Sequence, residues 1–193
     1  MDMEEKKILV TFAVPEELVD IKWANAEFFY LRTGIGKMKS TFYVSQAIDS
    51  FQPDLVLNIG TAGSIQHKEG DVFYCTQFVD RDLEKVKHLG LSYRVDMTIP
   101  LLENNIAQMW SNEGTCNTGD SFVTNTSDLE GDVIDMEAFA QAWVCEQKNI
   151  PFVAVKYITD VVGQNSIKVW KEKLSDAKAG LSYYLNETLK GIR

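Results

Sequence analysis

The chain has 193 residues, 45% of them apolar, and a net charge of −9; it is long enough to bury one substantial core, and with no linker-like stretch to divide it, one domain over residues 1–193 is expected. The acidic balance argues against a nucleic-acid backbone as partner. No apolar stretch could span a bilayer, Asp2, Glu4 and Glu5 lack the basic opening of a signal peptide, and Cys75, Cys116 and Cys145 have no metal-type spacing, so a cytoplasmic protein with reduced thiols is expected.

Lys7 to Val14 reads as a first strand, after which Pro15 sits where a helix would open, with Glu16 and Glu17 behind it. Glu27 to Arg32 reads as a second strand and runs into Gly34-Ile35-Gly36-Lys37. Val44, Ala47, Ile48 and Phe51 recur at helical spacing, predicting a helix from about Lys37 to Phe51 that Pro53 closes. Leu55 to Ile59 is a third strand leading into Gly60-Thr61-Ala62-Gly63-Ser64, and Val72 to Phe78 a fourth; the charged, patternless stretch Asp82 to Tyr93 reads as a mobile loop. A later helix, opened by Glu137, carries Phe139, Ala142 and Trp143 on one face. Pro151 to Ile158 is too short and too β-branched for a helix, so it reads as a buried strand that delivers Asp160 to its C-terminal edge, where open α/β sheets bind ligands. The last helix carries Trp170, Leu174, Ala177, Leu181 and Leu185. This alternation predicts an α/β fold with a mixed or mainly parallel central sheet flanked by helices.

The two glycine turns and Thr118-Gly119-Asp120-Ser121-Phe122 would gather with Asp160 at one end of that sheet. Neither glycine turn completes a phosphate cradle: Leu31, Met38 and Lys39 stand where such motifs need glycine or a hydroxyl. Taken singly, the residues leave alternatives open. Asp160 serves equally well as a helix N-cap, Glu17 and Glu137 as helix-start acids, and Phe122, Met136 and Trp170 as core.

Taken in order, Ala13-Val14-Pro15-Glu16-Glu17, Gly34-Ile35-Gly36-Lys37, Asn58 to Ser64, Gly70-Asp71-Val72, Thr118 to Phe122, Asp135-Met136-Glu137-Ala138 and Ile158-Thr159-Asp160 make the chain resemble the purine nucleoside phosphorylase and nucleosidase superfamily. Within it the chain is similar to the methylthioadenosine/S-adenosylhomocysteine nucleosidases from roughly Lys7 to Leu189. The resemblance implies a nucleoside phosphorylase-like three-layer α/β/α fold, a homodimer, no metal or organic cofactor, and a small-molecule purine nucleoside as partner. The implied reaction, part of methionine salvage, hydrolyses the bond between adenine and a 5′-thio-substituted ribose.

The resemblance also assigns roles. Asp160 becomes the acid that protonates the five-membered ring of adenine, a task that burial of a carboxyl favours. Glu17 becomes the base for the attacking water, with Glu16 one residue away as the competing assignment. Glu137 clamps the vicinal hydroxyls with Met136 against the sugar; Thr61, Ala62 and Gly63 line the sugar and the water; Phe122 and Val123 form the purine slot; and Trp170 supplies an aromatic wall. Lys156, where many bacterial members carry arginine, is expected at the same site. The chain is short between Asp82 and Asn112, where the family builds part of its 5′ pocket and dimer contact, so Leu89, Leu91 and Tyr93 are expected near a partner or the 5′ group. Related phosphorylases hold phosphate with arginines, one just before the central glycine turn; Asn58 there cannot replace that charge, which favours water. The alternatives are a hydrolase or phosphorylase for another purine nucleoside, of 6-oxopurine or futalosine type, and a non-catalytic nucleoside-binding protein.

Overall fold

The computed structural model describes residues 5–104, 113–121, 123, 129–162 and 166–188. Strand β1 (Lys6–Phe12) runs parallel to β2 (Ala26–Arg32) on one side and to β3 (Leu55–Ser64) on the other. Covered on both faces, β1 and β3 bury continuous apolar runs, Ile8 to Val10 and Leu55 to Leu57, instead of alternating. Between β2 and β3, helix α1 (Lys37–Phe51) buries Ser40, Val44, Ala47 and Ile48, the spacing of one helical face. It ends where Gln52 turns left-handed, at φ 51°, and donates its amide to Ile48; Pro53 cannot continue the helix.

The remaining strands are β4 (Val72–Asp80), β5 (Arg94–Asp96), β6 (Glu113–Thr118), β7 (Val133–Asp135) and β8 (Phe152–Val161). Among the described residues the pairing order is β2-β1-β3-β7-β6-β4-β5, and β8 joins β3 to β4. Strands β3, β7, β6, β4 and β8 therefore close on one another, and β2 and β5 lie at the edges. Parallel and antiparallel pairs are mixed: β8 runs with β3 and against β4. The register of β3 and β8 slips between Ala62 and Gly63, which sets Asp160 opposite Gly63. Helix α4 (Ala138–Gln147) packs on α1, and α5 (Ser166–Tyr183) packs on β8 and β3. The expected mixed sheet with flanking helices is the observed one. No helix among the described residues is long and apolar enough to cross a membrane.

Several sequence expectations need correction. The first strand ends at Phe12, while the third and fourth run on to Ser64 and Asp80. The stretch from Asp82 to Tyr93 is not a plain loop. Helix α2 (Arg81–Glu84) starts it, its first turn capped by the Asp80 carboxylate, which accepts from the amides of Asp82 and Leu83, and a 3₁₀ turn follows at Lys87–Leu89. A further helix, α3 (Thr98–Glu103), lies beyond β5. Trp143 does not share the buried face of Phe139 and Ala142; it is 47% exposed and lies with Glu146 and Gln147 on the outer face of α4.

Candidate active site

Glu17, Asp135, Glu137 and Asp160 all line one cavity at the C-terminal ends of β3 and β8, together with Thr61, Ala62, Gly63, Val123, Met136 and Trp170. Glu17 reaches it from a single 3₁₀ turn, Pro15–Glu17, with Pro15 at its first position. Glu17 is buried and Glu16 exposed, so the inward-facing acid of the pair is Glu17. Its Oε2 accepts the amides of Ala13 and Val14 at 3.0 and 3.2 Å, and its Oε1 accepts the amide and hydroxyl of Thr61 at 2.9 and 2.7 Å. A β-carbon on Gly60 would stand 3.1 Å from Oε1, so glycine leaves the room that this approach requires.

Asp160 lies within β8 and takes the Thr159 hydroxyl at 2.9 Å on Oδ1. It does not cap α5, which begins at Ser166. Gly63 opposite has the same function as Gly60, since a β-carbon there would sit 3.3 Å from Oδ2 of Asp160.

Glu137 stands at the N-cap of α4 without capping it; Asp135 does that, accepting the amides of Glu137 and Ala138 at 3.3 and 2.8 Å. Freed from the cap, Glu137 accepts the Gly36 amide on Oε1 at 2.9 Å. Its Oε2 has no hydrogen-bond partner among the described residues. Burial first, and the Asp135 charge second, push its pKa up to about 8 against the opposing effects of Lys156 and the Gly36 amide.

Lys156 is placed differently from the expectation. It does not line the cavity; fully buried in β8, its ammonium lies 2.9 Å from the Asp135 carboxylate. Burial would lower its pKa, but Asp135 and its neighbours raise it instead, and in return Lys156 and the Thr118 hydroxyl hold Asp135 low despite burial. The pair braces the start of α4, with Asp135 on the cavity wall and Lys156 behind it. Phe122 lies outside the described residues, and Val123 lines the cavity. Leu89 and Leu91 are exposed, and neither they nor Tyr93 line the cavity. Among the described residues no group of three or more His, Cys, Asp and Glu is arranged to hold a metal ion.

Sequence reasoning did not single out Arg81, Ile35, Thr159 or Val162, all of which line the cavity. Ile35 was signalled by its glycine turn. Arg81 was not, because the charged run Asp80-Arg81-Asp82 after an apolar strand looks like a solvated strand end. Its guanidinium is buried instead and donates to the carbonyls of Asn117 and Asp135, both at 2.9 Å, and of Gly119 and Ser121 at 2.8 and 2.5 Å. Desolvation lowers its pKa despite the nearby acids. Arg81 thus ties the Gly119–Ser121 main chain to the ends of β6 and β7.

The model of the phosphorylase superfamily matches residues 16–186. Among curated proteins, the chain is 30% identical to 5′-methylthioadenosine/S-adenosylhomocysteine nucleosidase of Bacillus velezensis, over 75% of this chain and 72% of that protein. The protein of the same name from Marinomonas sp. is 28% identical over 88% and 84%. Among solved structures, the nucleosidase of that name from S. pneumoniae superposes with a TM-score of 0.77 at 23% identity, covering 97% of this chain and 100% of the other.

Proposed function

The chain belongs to the phosphorylase superfamily, and on that premise we propose that it is an N-glycosyl hydrolase of 5′-thio-substituted adenosines. Methylthioadenosine and S-adenosylhomocysteine, named in its relatives, are the substrates, and adenine and a thioribose the products, within methionine salvage. One observation carries the proposal: besides Asp135, which is paired with Lys156, three buried carboxylates with different hydrogen-bond environments face one cavity. Glu17 has four donors around it, Glu137 has an oxygen without a protein partner among the described residues, and Asp160 has a neighbouring hydroxyl. Binding a nucleoside would not require all three.

In the reaction, water attacks the anomeric carbon and the bond to the purine nitrogen breaks. Asp160 delivers a proton to the five-membered ring of the base, and Glu17 takes the proton from water. Glu137 accepts the vicinal hydroxyls on Oε2, and Met136 packs against the sugar. The loop tied down by Arg81 presents the purine slot, where Val123 meets the base. Water is favoured over phosphate because Asn58 is buried and bonded to Thr11, while the terminal nitrogens of Arg81 are occupied by carbonyl oxygens.

The working unit is a homodimer in the cytoplasm. Ile35 lines the cavity yet is 45% exposed, beside the still more exposed Met38 and Phe42 of α1; a second copy would cover them. The three buried, free cysteines suit a reducing compartment. The test is adenine release from a nucleoside panel with and without phosphate. Equal rates and a free anomeric hydroxyl are expected; a ribose 1-phosphate product would make the protein a phosphorylase.

A further inference from the structure

Trp170 does more than present an aromatic face. It stands in the first turns of α5, half-buried, and its indole Nε1 donates to Thr61 Oγ1 at 2.8 Å. The same oxygen lies 2.7 Å from Glu17 Oε1. An indole N–H can only donate and a carboxylate can only accept, so the proton directions along this chain are fixed: Trp170 to Thr61, Thr61 to Glu17. Three of the four donors around Glu17 are main-chain amides, which the 3₁₀ turn and β3 hold in place. The fourth, the Thr61 hydroxyl, has a hydrogen free to rotate. When Glu17 gains a proton, one donor must turn away from it, and the hydroxyl can do so without moving the backbone. Its oxygen then accepts from the new carboxyl group, provided that something else keeps that oxygen in position. The indole N–H is placed to do this; a phenylalanine would offer the same flat face and no such anchor.

We propose that Trp170 is a positioning residue for the base: by holding the Thr61 hydroxyl oxygen it sets the one adjustable donor of Glu17 and couples the docking of α5 to proton uptake. This rests on the role of Glu17 given under Proposed function. The experiment compares Trp170→Phe, Thr61→Val and the double variant in steady-state hydrolysis of methylthioadenosine. Trp170→Phe should lower kcat about ten-fold, the loss of one hydrogen bond bearing on a charged group, with KM changed less than two-fold. The double variant should be no slower than Thr61→Val, because Trp170 acts through that hydroxyl. A raised KM at unchanged kcat, or multiplying effects in the double variant, would overturn the proposal. A second measurement does not depend on turnover. The Trp170 indole N–H proton resonance, assigned by its disappearance in Trp170→Phe, should move upfield in Thr61→Val. An unmoved resonance refutes the hydrogen bond itself. A moved resonance in a protein that cleaves no nucleoside would sink the proposed reaction and, with it, the coupling to proton uptake.

Discussion

Replacing Glu137 with glutamine should make the ligand-free protein more stable, by an amount that grows with pH. The side chain is buried, and glutamine can still accept the Gly36 amide, so charge is the main thing removed. The carboxyl rises from an ordinary 4.5 to about 8 when the chain folds, through burial and the Asp135 charge. Between those pH values the folded protein holds a proton that the unfolded chain has released, so wild-type stability falls as pH rises through the window. Below it both states are protonated and the penalty vanishes; above it the penalty is complete. At roughly 1.36 kcal/mol per unit, the interval sets a ceiling of about 5 kcal/mol, with Asp135 and Lys156 absorbing part of the change. Urea unfolding of both proteins at pH 5, 7 and 8.5 measures it. A gap below about 1 kcal/mol at pH 5 that widens to a few kcal/mol at pH 8.5 is expected. A gap independent of pH, or one that narrows as pH rises, would refute the account of Glu137 as a carboxylate held at a cost to stability.

Lys156→Met leaves Asp135 buried with its Thr118 hydroxyl and two amides but without its counter-ion; a loss of about 3 kcal/mol is expected by denaturant melting, the lower end for breaking a buried pair. Adding Asp135→Asn should recover part of that loss. Asp160→Asn should fold normally and lower turnover by about two to four orders of magnitude, and near-normal turnover would remove its role as acid. Arg81→Met frees four main-chain carbonyls and should weaken adenine binding about ten-fold by calorimetry, whereas unchanged affinity would mean that the Gly119–Ser121 chain holds itself.

The carboxylates were legible because each interrupts a recognisable pattern. Asp160 follows an apolar, β-branched run, and Glu17 follows a proline that opens a turn. Strand β6, Glu113-Gly114-Thr115-Cys116-Asn117-Thr118, was not legible, since it has no apolar alternation; its burial comes from pairing with β4 and β7. Lys156 was expected at the substrate because it stands where many bacterial members of the family carry arginine. Its true partner, Asp135, comes from the distant β7 and could be identified only once the strands were assembled. Trp170 fitted two descriptions, wall and core stripe, and neither included the polar edge of its ring.

The closed circuit of β3, β7, β6, β4 and β8 also bears on how the protein comes into being. Glu17 finds its donors in Thr61, Asp160 finds its place against Gly63, and Trp170 comes back to Thr61 across more than a hundred residues of chain. Pairings this distant in sequence form slowly and reward the chain late. During synthesis the first two-thirds of the protein would emerge with the cradle for Glu17 built but with β8 and α5 still missing. A chain interrupted before α5 would therefore carry an uncovered face of β8 and β3 in place of a half-working enzyme, and activity would arrive in a single step, with α5.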